Sequence, residues 1–81
     1  MAARALPLGT AAPRAGRSHR RKAARERRGR ILELLDEQRS VRVSSLSRAL
    51  GVSQMTIRRD LELLDAEGLA TRAFGGALRR L

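Results

Sequence analysis

Apolar positions are sparse in the first third of the chain and regularly spaced afterwards. Between Arg25 and Gln38, Ile31 and Leu35 stand four apart, with Leu32 and Leu34 widening the stripe and Arg28, Glu33 and Glu37 falling elsewhere. This is the period of an amphipathic helix. Val41-Arg42-Val43 then alternates in the β-branched manner of a short strand. Ser44 or Ser45 is placed to cap a second helix with Leu46, Ala49 and Leu50 inward, and Gly51 supplies the positive φ that ends it. The third helix has the clearest ends. Ser53 is its N-cap, Val52 and Ile57 have the spacing of a hydrophobic staple, and Ile57, Leu61 and Leu64 repeat at i, i+4, i+7. Gly68 closes it, with Leu69 placed to meet Leu64. Beyond, the segments 69–74 and 77–81 flank Gly75-Gly76, which reads as the two-residue loop of a hairpin with a primed turn. The pattern predicts a mainly α (α+β) chain of three helices and a C-terminal β-hairpin.

Residues 1–24 show no such period. Pro7, Gly9, Pro13 and Gly16 interrupt any helix, and the stretch reads as a disordered basic arm in front of one domain at 25–81. Charge divides the chain at nearly the same place. Residues 1–30 hold ten Arg and Lys against Glu26, while residues 31–81 hold eight arginines against seven acids. The arm is thus suited to an anionic partner, and the rest of the chain must be judged on its pattern. Of large apolar residues the arm has only Met1, Leu6 and Leu8, too few for a face buried in lipid, so nucleic acid is preferred to a membrane. The Arg- and Ala-rich makeup shares features with organellar transit peptides, but a plain basic arm is the preferred explanation.

The third helix carries the candidate chemistry. With Ile57, Leu61 and Leu64 inward, Met55, Arg58, Arg59 and Glu62 point outward, and Gln54 and Thr56 lie at the exposed N-terminal end. Glutamine pairs bidentately with adenine and arginine with guanine, threonine reaches a phosphate or a thymine methyl, and methionine adds apolar contact. The free amides of a first turn also suit a phosphate. The plainer explanation is a solvated face on which Arg58 and Glu62 pair at i, i+4; Arg59 has Leu63 at that spacing and stays available.

Ser53-Gln54-Met55-Thr56-Ile57-Arg58-Arg59-Asp60-Leu61 resembles the signature of DeoR-type transcriptional regulators around their recognition helix. It stands in the expected order with Arg30-Ile31-Leu32-Glu33-Leu34-Leu35, Val41-Arg42-Val43, Leu50-Gly51-Val52, Gly68-Leu69 and Arg72-Ala73-Phe74-Gly75-Gly76-Ala77. The resemblance covers residues 25–81 and implies a winged helix-turn-helix, with the helix-turn-helix near 44–65 and the wing at 69–81. It implies a cytoplasmic, bacterial, sequence-specific transcriptional repressor bound to double-stranded DNA, with a weak homodimer forming on the DNA. Ser53, Gln54, Met55, Thr56, Arg58, Arg59 and Arg72 are the expected DNA contacts, and Gly75 and Gly76 the wing turn. Two positions depart from the family pattern: Phe74 stands where histidine is frequent, and Ser47 where many such helices have alanine. Family members continue into an effector domain that senses a sugar phosphate, so no small-molecule effector is expected in this chain.

A general nucleic-acid binder, driven by the arm with the helices as scaffold, is the competing reading. An enzyme is not expected. The sequence has no cysteine, and its one histidine, His19, has no partner for a metal or a carboxylate in catalytic spacing. Ser44, Ser45, Ser47 and Ser53 read as capping residues, and neither cofactor nor metal is expected.

Overall fold

A computed structural model describes residues 5–80, with side chains from residue 19 onward. Helix α1 spans Ala5–Gln38, strand β1 Ser40–Arg42, α2 Val43–Leu50, α3 Gln54–Ala66, β2 Ala70–Ala73 and β3 Gly76–Arg79. Three helices and an antiparallel sheet make this a winged helix-turn-helix. The sheet has three strands, in the order β1-β3-β2, so the short strand expected near Val41 joins the hairpin instead of standing alone. Central β3 pairs Val41 with Ala77 on one side and Arg72 with Ala77 on the other.

Most of the core is the one the periodicity predicts. Ile31 and Leu35 of α1, Leu46 of α2, and Ile57, Leu61 and Leu64 of α3 are buried together with Val41, Val43, Ala70 and Ala77. Leu32, Leu34, Leu50 and Val52 pack against this cluster from its edge. Each large aliphatic side chain buried here contributes about 1.5–3 kcal/mol, which is the main force holding three short layers together.

Several boundaries differ from the sequence expectation. Helix α1 begins at Ala5, not near residue 25, so the stretch read as a disordered arm is helical over its described part. Ala5, Ala11, Ala12 and Ala15 favour helix, and Pro7 falls in the first turn, where a missing N–H costs no bond. Residues 1–4 of that arm, and Leu81 of the expected wing, lie outside the described residues. The strand ends at Arg42, and Val43 begins α2, so neither Ser44 nor Ser45 is its cap. Arg42 holds the N-cap position without a side-chain hydrogen bond. The Val43 N–H instead donates to Gly75 O at 2.8 Å, so the wing supplies an acceptor that a cap residue would not. Ala49, expected inward, is exposed.

The helix ends are largely as expected. Gly51 terminates α2 at φ 69°, and its N–H donates to Ser47 O. Ser47 also closes the turn from its side chain, its hydroxyl donating to Val52 O at 2.5 Å. This gives the serine a bond that alanine could not make. At the end of α3 Gly68 has φ 76°, its N–H donates to Asp65 O and the Leu69 N–H to Leu64 O, the paired bonds of a Schellman end. The Leu69 side chain remains half exposed.

Helix α1 ends on a residue that no sequence rule marks. Arg39 has φ 69°, donates to Leu35 O at 2.7 Å, and accepts from the Arg79 N–H at 2.8 Å. A non-glycine residue there is strained. Arg39→Gly is therefore expected to stabilise the fold by about 0.5–1 kcal/mol, the relief of strain exceeding the added freedom of the unfolded chain. Urea unfolding measures it, and a lower midpoint would show that the arginine side chain contributes more than its backbone costs.

Candidate nucleic-acid interface

The turn Gly51-Val52-Ser53 sets α3 against α2, and the cap at Ser53 fixes where α3 begins. The Thr56 N–H donates to Ser53 Oγ at 3.1 Å, and that hydroxyl donates to Thr56 Oγ1 at 3.0 Å. Both hydroxyls expected at DNA are thus already engaged with each other, and Thr56 is half-buried. Beyond them Gln54, Met55, Arg58 and Arg59 are exposed, while Ile57, Leu61 and Leu64 are sealed in the core. The helix dipole places partial positive charge at the same end. Among the described residues, no acidic group lies within ion-pair distance of Arg58 or Arg59.

The pairing weighed for Arg58 and Glu62 is replaced by a different one. Glu62 meets Arg72 of β2 at 3.3 Å, and Asp65 accepts from the Arg72 backbone N–H at 3.0 Å. Arg72 is therefore partly neutralised where it stands, although both partners of the ion pair remain open to solvent. Since Arg58 and Glu62 lie one helical turn apart on one face, this contact brings the wing to within about a turn of Arg58. The ion pair ties β2 to the exposed side of α3.

The turn of the wing is shifted by one residue from the expected frame. Ala73 pairs with Gly76, so Phe74-Gly75 is the two-residue loop and Gly76 belongs to β3. Gly75 has φ 76°, and Phe74 is not among the residues with positive φ. Positive φ at the second loop residue alone is the requirement of a type II turn, not of a primed one. Gly76 is needed for a different reason: a Cβ there would stand 1.9 Å from Val41 O. The glycine pair is thus one turn residue and one residue of close strand approach.

One group of importance has no counterpart among the residues singled out by sequence. Asp60 is buried within α3, hydrogen-bonded through one carboxylate oxygen to Arg27 Nε and through the other to Arg27 Nη2 at 3.1 Å. Arg28 stands 3.6 Å away. The carboxylate's hydrogen bond holds the Arg27 guanidinium above its ordinary pKa, against the opposing pull of burial. Two arginines that look like part of a basic run instead anchor α1 to the middle of α3. The signal is present in the spacing: Asp60 stands three after Ile57 and four before Leu64, on the inward stripe.

Comparison with known proteins agrees with this geometry. A model of the DeoR-like helix-turn-helix domain matches residues 27–80, and the chain belongs to that family. It is 53% identical over 53 residues to an Escherichia coli O157:H7 protein named for transcriptional repression of the aga operon, covering 65% of this chain and 20% of that one. It is 43% identical over 54 residues to an Escherichia coli K12 protein named for repression of galactitol utilization, covering 67% and 48%. The HTH-type transcriptional regulator GlpR of Haloferax volcanii is 49% identical over 53 residues, covering 65% and 21%. The matched region spans between about a fifth and about half of these relatives. No solved structure matches the chain.

Proposed function

We propose that this chain is the DNA-reading head of a sequence-specific transcriptional repressor, and not an enzyme. The observation that carries the reading is the exposed surface of α3, where Gln54, Met55, Arg58 and Arg59 stand on a helix whose other side is core. Such a helix enters the major groove with its N-terminal residues at the base edges. Arg58 and Arg59 pair with guanine or phosphate, and Gln54 with adenine. Ser53 and Thr56 fix the start of the helix and offer a phosphate contact. Arg72 contributes once a phosphate competes with Glu62 for its guanidinium. The names of the relatives support a repressor, and two heads on adjacent half-sites make the weak homodimer expected on DNA. Among the described residues, no helix is long and apolar enough to cross a membrane. We place the protein in the bacterial cytoplasm, at the nucleoid.

The basic N-terminal residues serve affinity in this scheme, and base choice belongs to α3. Deleting residues 1–22 removes six arginine and lysine residues and no acid. The deletion is expected to weaken binding to every duplex alike and to flatten its salt dependence, since each neutralised phosphate contributes a slope of about 0.9. Fluorescence anisotropy on a selected and a random duplex, across a range of salt, measures both effects. A changed sequence preference with unaltered random-DNA affinity would make the arm a reader and contradict the division.

A further inference from the structure

Helix α1 is longer than its packing against the domain requires. Its packed part begins near Arg27, where the family match also begins. Ala24 is still partly covered, and the described side chains before it, from His19 to Ala23, are exposed. At a rise of 1.5 Å per residue, the segment 5–26 is an overhang of about 33 Å. Two contacts give its direction. Leu32 and Asp36 share a cavity with Leu69, just past the C-terminal end of α3, whereas Arg27 and Arg28 meet Asp60, near its middle. Towards its own N-terminus α1 therefore advances in the sense of the N-terminal end of α3, where Gln54 and Met55 stand exposed. The Asp60 carboxylate grips Arg27 through both oxygens and draws Arg28 from the adjacent position, which fixes the rotation of α1 about its axis.

That rotation orders the charges of the overhang. Arg14, Arg17, Arg21, Arg25 and Arg28 recur at steps of three and four, and at 3.6 residues per turn these positions fall within about 80° of arc. Arg28 ends the row against α3, so the positions before it continue on that side of the helix. Among the described residues, no acid stands within ion-pair distance of Arg20, Arg21, Lys22 or Arg25. Like charges four apart, as at positions 17 and 21 and again at 21 and 25, weaken a helix on its own. A polyanion laid along the row removes that repulsion. The opposite face carries Ala12, Gly16, His19 and Ala23, none of them large enough to anchor in lipid.

We infer that the segment 5–26 of α1 is a rigid phosphate-binding strut, whose arginine row lies against the DNA backbone on the flank of the bases met by α3, aimed by the grip of Asp60. The inference rests on the DNA-reading function proposed above and adds a mode of binding to it. Affinity depends on helical continuity and not on charge alone. A flexible tail of the same composition would deliver the same charge without a fixed footprint.

Ala23→Pro tests this with every charge kept. Proline inside a helix removes a hydrogen bond and kinks the axis. Ala23 is exposed and outside the core, so thermal unfolding of the domain should be unchanged. The variant is expected to bind a random-sequence 30-base-pair duplex, and duplexes enriched by the wild type, about tenfold more weakly. It should also lose hydroxyl-radical protection over up to about ten base pairs on one flank, the reach of the overhang. In the unbroken helix, Arg21→Gln with Arg25→Gln should lower the salt slope by about 1.8. An unchanged slope in that variant would overturn the strut. So would wild-type binding by Ala23→Pro, since a flexible arm would then suffice. A glutamine variant that loses binding to phosphatidylglycerol vesicles and none to DNA would overturn it as well, assigning the row to a membrane. If Ala23→Pro binds DNA as the wild type does while an Arg58→Ala, Arg59→Ala variant loses its preferred sequence, the strut fails and the reading of α3 stands. If instead the wild type enriches no sequence while Ala23→Pro still weakens binding to the random duplex, the strut stands and the reading of α3 fails.

Discussion

Gly76→Ala is expected to cost about 3 kcal/mol or more and to separate β1 from the wing. Overpacking a side chain typically costs about 1–3 kcal/mol, when neighbouring side chains can give way. Here the obstacle is backbone: Val41 O stands 1.9 Å from the position of the new Cβ, with Val41 C at 3.0 Å. The β1–β3 ladder must open, and the bond from Val43 N–H to Gly75 O then has nothing to hold it in place. A domain of this size holds only about 3–8 kcal/mol in all, so the variant should be largely unfolded or should melt far below the wild type. Gly75→Ala is the control. Its φ of 76° is strained for alanine but the space around it is open, so a loss of about 1–2 kcal/mol is expected. Urea unfolding of the two variants compares them directly, and equal losses would contradict the separate roles assigned to the two glycines.

Asp60→Ala is the second large effect. It leaves Arg27 and Arg28, with side chains 18% and 23% exposed, without the carboxylate they share. Breaking a fully buried pair costs about 3–5 kcal/mol, and arginines that can reach water recover part of that, so a loss of about 2–3 kcal/mol is expected. Glu33→Ala, which breaks the exposed pair with Arg30 at 3.1 Å, should change stability by no more than about 0.5 kcal/mol. Thermal unfolding distinguishes the two. An Asp60→Ala loss no larger than that of Glu33→Ala would mean the pair does not hold α1 to α3.

The core and α3 are legible in the sequence because both depend on local period and on caps. Ile57, Leu61 and Leu64 follow the helical repeat, Ser53 and Gly68 mark its ends, and all five behave as the pattern requires. The features that are not legible depend on contacts distant in sequence. Gly76 looks like a turn residue until β1 is laid beside it, and Val43 looks like strand until the wing carbonyl accepts its N–H. Asp60 stands on the inward stripe, but in the run Arg58-Arg59-Asp60 it reads as one more surface charge, because its partners Arg27 and Arg28 are distant in sequence. Arg39 carries no signal at all, since only the folded sheet explains why an arginine adopts a glycine's conformation. Among the candidate contacts, the exposure of Arg58 and Arg59 follows from the helical period. The ion pair of Arg72 does not, because Glu62 and Arg72 meet only when the wing folds back on α3.

Sequence selection by α3 through its exposed arginines is the central claim. Each arginine that pairs with guanine is worth about 1–3 kcal/mol of discrimination, whereas its truncation on the surface should move stability by about 0.5 kcal/mol or less. The direct measurement is selection of bound duplexes from a random library, by the wild type and by the Arg58→Ala, Arg59→Ala double variant. The wild type is expected to enrich a motif that is lost, or relaxed at the guanine positions, in the folded variant. A motif that survives unchanged in the double variant would contradict the claim.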